Sequence, residues 1–181
     1  MAFLQKIRPS LSQRICDTSR AALVCLVVLI PCGLAASPIS QTLSSPQQIG
    51  SATFRFLGIP VYDAQLFTPN GAAFSWDADF GLKLTYRKTL KQKALVESTL
   101  EEMARQGNPA PSQSALQQCY KAVGKGDNYI AISEGPNKVG FWRNGQKTCT
   151  LSYPGAKRAF MSTFLGADTR SASFTRQLKG Q

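Results

Sequence analysis

The sequence predicts an α+β fold, a mostly antiparallel β-sheet with helices packed on one face. Three observations carry this. Segments of strict two-residue alternation, clearest at Phe80, Leu82, Leu84 and Tyr86, read as half-buried strands. Stretches of helical period separate those segments and follow them. The strands of the second half are joined by turns far too short for a parallel crossover. The chain has 181 residues and 43% hydrophobic content, enough for one domain with its own core.

The first 36 residues stand apart. Lys6, Arg8, Arg14 and Arg20 precede the apolar run Ala21 to Ile30, and Pro31 to Ser37 is rich in small residues. A basic flank, an apolar core and a small-residue exit predict a secretory signal peptide over 1–36, cut after Ala35 or Ala36. The apolar stretch is shorter than the roughly 20 residues a membrane span needs, and Pro31 interrupts it. Residues 37–48 are polar, contain Pro38 and Pro46, and have no helical period, which predicts a flexible leader before a domain over 49–181.

Ala52, Phe54 and Phe56 alternate with Thr53, Arg55 and Leu57, then Gly58 and Pro60 break the run before Val61 to Phe67 resumes it. This reads as two strands with a bend or tight turn. The strand ending at Tyr86-Arg87 follows. Ala94, Leu95, Leu100 and Met103 among charged residues predict an amphipathic helix over 91–106, ended by Asn108-Pro-Ala-Pro111. Ser112 or Ser114 caps a second helix bearing Leu116, Cys119, Tyr120 and Val123. Strands are predicted at 128–133, 138–143 and 147–153, the last two joined by Asn144-Gly145, a strong hairpin signal. Pro154 opens a helix with Ala159, Phe160, Thr163, Phe164 and Leu165, ended by Gly166. Thr169 or Ser171 caps a last short helix with Phe174 and Leu178.

Composition excludes much chemistry. The chain has no histidine, which removes the Ser-His-Asp and Cys-His nucleophile systems and the principal ligand of zinc and non-haem iron sites. No metal and no cofactor is implied; Gly124-Lys125-Gly126-Asp127 lacks the ending of a phosphate loop and reads as a tight turn. Of five cysteines, Cys119 and Cys149 lie beyond the signal segment, and an even count in an oxidising compartment predicts one disulfide. Cys149 shares parity with Leu151 and Tyr153, on the face that helices would cover. Without residues 1–36 the net charge is about +8, a surface suited to acidic lipids, polyanions or a ligand carboxylate. The basic residues are scattered rather than clustered, which disfavours nucleic acid.

The segment Phe56-Leu57-Gly58-Ile59-Pro60-Val61-Tyr62-Asp63-Ala64, followed by Tyr86-Arg87, Gly126-Asp127 and Thr163-Phe164-Leu165-Gly166, resembles the chalcone isomerase-like family. Gly126-Asp127 is similar to a pair often found in its exported bacterial branch. The resemblance covers about residues 48–180 and implies an open-faced sheet-and-helix sandwich. The plant enzymes of the family stabilise a developing enolate with a strand Arg, a Thr and a Tyr acting through water, an Asn and a late Thr. Here the strand Thr falls on Leu57, the Arg position lies near Ser45, and Gln118 and Tyr120 occupy the helical region without the matching pattern. Thr163 alone lands on a matching position. Each donor removed from such a site costs about 10²–10³ in rate, so the resemblance implies the fold and not chalcone cyclisation.

Some non-catalytic relatives bind fatty acids. The resulting expectation is an exported, non-catalytic binder of a small apolar or fatty-acid-like anionic ligand, periplasmic or secreted, with a peripheral contact to acidic membrane surfaces compatible with its charge. Thr163, Arg55 and Arg87 are the candidate ligand-binding residues; Tyr62 and Tyr86 read as core aromatics. The alternatives are an isomerase or lyase on another substrate and an interaction module of the cell envelope.

Overall fold

The computed structural model describes residues 36–181. The predicted signal segment, with Cys16, Cys25 and Cys32, lies outside the described residues apart from Ala36. Six strands form one sheet: β1 (Pro46–Phe56), β2 (Ile59–Pro69), β3 (Gly81–Tyr86), β4 (Asn128–Ser133), β5 (Lys138–Arg143) and β6 (Gln146–Ser152). They lie in sequence order, and every neighbouring pair is antiparallel. Helices α2 (Gln92–Arg105) and α3 (Gln113–Cys119) connect β3 to β4, and α4 (Ala156–Leu165) and α5 (Ala172–Leu178) follow β6.

Two-residue turns set the hairpins. Leu57 and Gly58 have φ of 49° and 78°, and Asn144 and Gly145 have φ of 48° and 82°. Two successive left-handed residues are what a type I′ turn needs, and its twist matches that of the flanking strands. Register then places the side chains of the main core on one face. Tyr62, Ala64 and Leu66 pair with Tyr86, Leu84 and Leu82, which lie beside Tyr129 and Ala131 of β4. Phe141 and Leu151 continue this face across β5 and β6. Leu95 and Val96 of α2, Leu116 of α3, Phe160, Met161 and Leu165 of α4, and Phe174 and Leu178 of α5 bury against it in one cluster.

Side-chain caps hold the short helices. The Ser112 hydroxyl accepts the Ala115 N–H at 3.2 Å, and the Ser171 hydroxyl accepts the Phe174 N–H at 3.3 Å. Gly166 closes α4 with φ of −68°, so it does not serve as a left-handed cap. Its lack of a side chain serves a close approach instead, since a Cβ there would meet the Ser162 carbonyl oxygen at 2.7 Å. Cys119, at the end of α3, is bonded to Cys149 of β6 with a Cα–Cα separation of 4.8 Å, as their parity predicts.

One expectation is corrected. Residues 37–48 are not a flexible leader: they form α1 (Pro38–Thr42) and the first residues of β1. Ile39 and Leu43, four apart and so on one helical side, bury against Ile130 and Ile132 on the sheet face opposite the other helices. Gly81 lies beside them on this face, where a Cβ on it would come into ordinary contact with Ile39 and Leu43. A segment this short shows no helical period, so its two anchoring side chains do not stand out in the sequence.

Candidate functional site

Between the β1–β3 end of the sheet and its helical cover lies a cavity of about 380 Å³. Pockets for small organic ligands occupy roughly 300–1,000 Å³. Its floor is Phe54, Tyr62, Leu84 and Tyr86, inward-facing residues of β1, β2 and β3. Leu95, Ser98, Thr99 and Glu102 of α2 form one wall, and Thr163 and Phe164 of α4 with Phe174 of α5 form another. Phe54 stacks on Tyr62 at 5.1 Å between centroids, and Phe174 meets both edge-on at 5.8 and 6.1 Å. These rings brace one another and leave their remaining surface to the space between them.

One side of this apolar space is ionic. Glu102, with 5% of its surface exposed, lines the cavity from α2. Its carboxylate accepts two bonds from Arg105 at 2.6 and 2.9 Å, one from Gln106 at 2.7 Å and one from Arg170 Nε at 2.5 Å. Burial alone would raise the Glu102 carboxyl; these donors outweigh it and hold the group below its usual range. Arg105 is fixed in turn by the carbonyl of Asp168. Arg170, in the loop between α4 and α5, turns its Nε to Glu102, while Nη2 reaches the Ser98 carbonyl only at 3.4 Å. Its Nη1 makes no hydrogen bond to a described residue, and the side chain remains 35% exposed. Nη2 also lies 4.0 Å from the carboxylate of Glu101, which lines the cavity as well, so the site holds a guanidinium oriented by a buried carboxylate and flanked by an exposed one, with Nη1 left over.

The phenols are the other polar groups. Burial pushes the Tyr62 hydroxyl far above its ordinary value; Tyr120 adds to this, and the Arg170 charge only partly opposes it. Burial does the same to Tyr86 and to Tyr120. All three stay protonated across the working pH range, so they donate hydrogen bonds and do not act as bases near neutrality. Tyr120 has a partner in Thr99, 3.2 Å away. The Tyr62 and Tyr86 hydroxyls have none among the described residues. The Thr163 hydroxyl donates to the Phe160 carbonyl at 2.7 Å, which leaves its lone pairs to accept. Among the described residues no group of three His, Cys, Asp or Glu side chains is placed to hold a metal ion.

Of the residues singled out from sequence, Thr163 lines the cavity and Arg55 and Arg87 do not. Parity is the reason. Ala52 and Phe54 take the inner face of β1 and Tyr86 the inner face of β3, so Thr53, Asp63 and Arg87 meet on the outer face. Arg87 Nε donates to Asp63 at 2.7 Å, and the Thr53 hydroxyl donates to the same carboxylate at 2.6 Å. Arg55 donates to the Gly58 carbonyl at 3.1 Å, beyond a bulge that shifts it out of register. Tyr62 and Tyr86, read as core aromatics, belong to the core and also line the cavity. Sequence reading missed Arg170 and Glu102. Glu102 carried a signal: it falls on the stripe of Leu95 and Thr99, where an acid requires a buried partner. Arg170 carried none, because nothing local says that its loop folds back over α2.

No protein-family model matches the chain, and no curated protein matches it in sequence. Among solved structures, a fatty-acid binding protein of Arabidopsis thaliana superimposes with a TM-score of 0.56 at 11% sequence identity, over 75% of this chain and 87% of that one. At that identity the likeness establishes the fold, the α+β chalcone isomerase-like sandwich.

Proposed function

We propose that this protein is an exported, non-catalytic carrier of a small apolar ligand with an anionic head, of the fatty-acid type. The observation that carries the reading is a cavity of about 380 Å³ with an aromatic and aliphatic lining and a cation, Arg170, at one side. An alkyl chain gains by leaving water for such a lining, at about 0.8 kcal/mol per buried methylene. The free donors of Arg170 and the unpaired hydroxyls of Tyr62 and Tyr86 suit a carboxylate, an acceptor-only group. The fatty-acid binding protein that shares the fold supports the same ligand class. Export is supported by the sequence of residues 1–36 and by the Cys119–Cys149 bridge, a bond of oxidising compartments.

A proton-transferring isomerase is favoured less. It would need a base inside the cavity, and the groups there are protonated phenols and Glu102, whose lone pairs are held by Arg105, Gln106 and Arg170; the second carboxylate of the lining, Glu101, is 73% exposed and lies beside Arg170.

The test is native mass spectrometry of the gently purified protein, followed by titration with a fluorescent fatty acid. A co-purifying acyl chain and saturable binding are expected. Arg170→Gln should weaken binding of the acid by about 10- to 100-fold, the worth of a charge-assisted hydrogen bond. It should leave binding of the corresponding fatty alcohol nearly unchanged. A protein that neither retains nor takes up any acyl compound ends this reading.

A further inference from the structure

The exposed large hydrophobic residues of the described chain gather at one point. Phe56, Leu57 and Ile59 are 59%, 86% and 53% exposed, and together they form the tip of the β1–β2 hairpin. The turn itself is unfavourable for solubility and for backbone conformation. Leu57 occupies its first central position at φ of 49°, where Asn, Asp or Gly ordinarily sits. A branched apolar side chain has been placed there, in water and in a left-handed conformation. At 86% exposure almost its whole surface is open to solvent, and a Cβ on the adjacent Gly58 would find no atom within 4 Å.

The surroundings of the tip are basic. Register brings the ends of three strands together at this end of the sheet. Arg55 pairs with Pro60, the Arg87 N–H bonds the Val61 carbonyl, and the Gly126 N–H bonds the Tyr86 carbonyl. Arg55, Arg87, Lys88 and Lys125 are thereby collected behind the tip, with Lys91 at the start of α2. The acids brought there by the same contacts are paired, Asp63 with Arg87 and Asp127 with Arg143, which leaves Arg55, Lys88, Lys91 and Lys125 as the uncompensated basic groups of the collar. Arg87 lies level with Val61, two strand residues short of Ile59, so at about 3.3 Å per residue the apolar tip leads it by roughly 7 Å, while Arg55 sits at the base of the turn with its guanidinium on the Gly58 carbonyl. Interfacial segments bury their apolar side about 5–10 Å deep, with basic groups left at the headgroups.

We propose that this hairpin tip docks into the surface of an anionic lipid bilayer. Single apolar residues on a surface are ordinary, but this one combines three neighbours, a strained turn and a basic collar, and a bilayer meets all of these at once. Docking would also set the cavity against the lipid, because Phe56 and Val61 of the same hairpin line it. That consequence, ligand exchange with the membrane, rests on the carrier reading; the docking itself does not.

The experiment is co-sedimentation with phosphatidylcholine vesicles with and without phosphatidylglycerol, for the wild-type protein and for the double variant Leu57→Asn, Ile59→Thr. Neither substituted residue lines the cavity. Binding is expected to vesicles containing phosphatidylglycerol, to fall as salt is raised, and to drop by at least about tenfold in the variant. The variant should melt no lower than wild type, because Asn suits the first position of the turn. Wild-type protein that ignores anionic vesicles overturns the proposal. So does a well-folded variant that binds them equally well. Tip-dependent self-association without vesicle binding would assign the surface to a second copy of the chain, and overturns it too. Because no fatty acid enters the assay, its failure leaves the carrier reading standing.

Discussion

Glu102 and Arg170 show how much of a site depends on residues that are unremarkable one at a time. A buried carboxylate is costly unless its lone pairs are met, and here three side chains meet them. The result is a guanidinium held at the cavity through Nε and Nη2, with Nη1 making no hydrogen bond to a described residue. Asp127 is a second residue whose environment decides its charge. The Gly124 N–H, Asn144 and Arg143 all bond its carboxylate and hold it at about 2, down from the ordinary 3.8. A depressed carboxyl stabilises the fold above its unfolded value and loses that contribution as pH falls through its folded one. Stability should therefore decline between about pH 4 and pH 2. Denaturant titrations across that window should show Asp127→Asn less stable than wild type at pH 7 and less sensitive to acid; Asp63 and Glu102, lowered in the same sense, account for the slope that remains.

Among elements, the hairpins were legible and the N-terminal helix was not. Asn144-Gly145 falls between alternating segments, so local sequence names that turn and its strands together, whereas the break at Gly58 and Pro60 marks a bend or tight turn without fixing its two central residues. Helix α1 is five residues long and carries its fold-specific content in Ile39 and Leu43 alone. If that content matters, Ile39→Ala should lower stability by about 2 kcal/mol in urea titrations, the low end of the range for a buried aliphatic truncation. A detached leader would give no change. The disulfide acts on elements as well, tying α3 to β6 across 30 residues of chain. The chain-entropy model assigns such a loop about 3–4 kcal/mol. Reduction should then lower the melting temperature by roughly 10 °C, read by calorimetry with and without a thiol reductant.

At the scale of the whole molecule, one face of the sheet is packed solid toward β4–β6 and left hollow toward β1–β3. Phe141, Phe160 and Tyr120 interlock edge-on at 4.9 and 5.8 Å at the packed end. The hollow end is lined by rings that brace one another without filling the space. Such a cavity leaves stability unrealised until a ligand occupies it. A ligand present at 100 times its dissociation constant adds about 2.7 kcal/mol, which corresponds to a rise of roughly 5–10 °C in melting temperature. Calorimetry with a fatty acid, a fatty alcohol and a short-chain acid as controls should show this rise for long chains and little for the short acid.

Periodicity, turn chemistry and cysteine parity are local properties, and they suffice for the strands, the four larger helices and the Cys119–Cys149 bond; the expectation for Thr163 comes from the family resemblance instead. They also explain the misplacement of Arg55 and Arg87. Alternation separates two faces without saying which one shelters a ligand, and the polar face of β1 turned out to meet solvent. Arg170 and Glu102 meet across 68 positions of chain, and the hollow above Tyr62 and Tyr86 rests on contacts that reach farther still, such as Phe54 with Phe174. No window along the chain contains both partners of such a contact, so their meeting becomes visible only once the helices lie on the sheet.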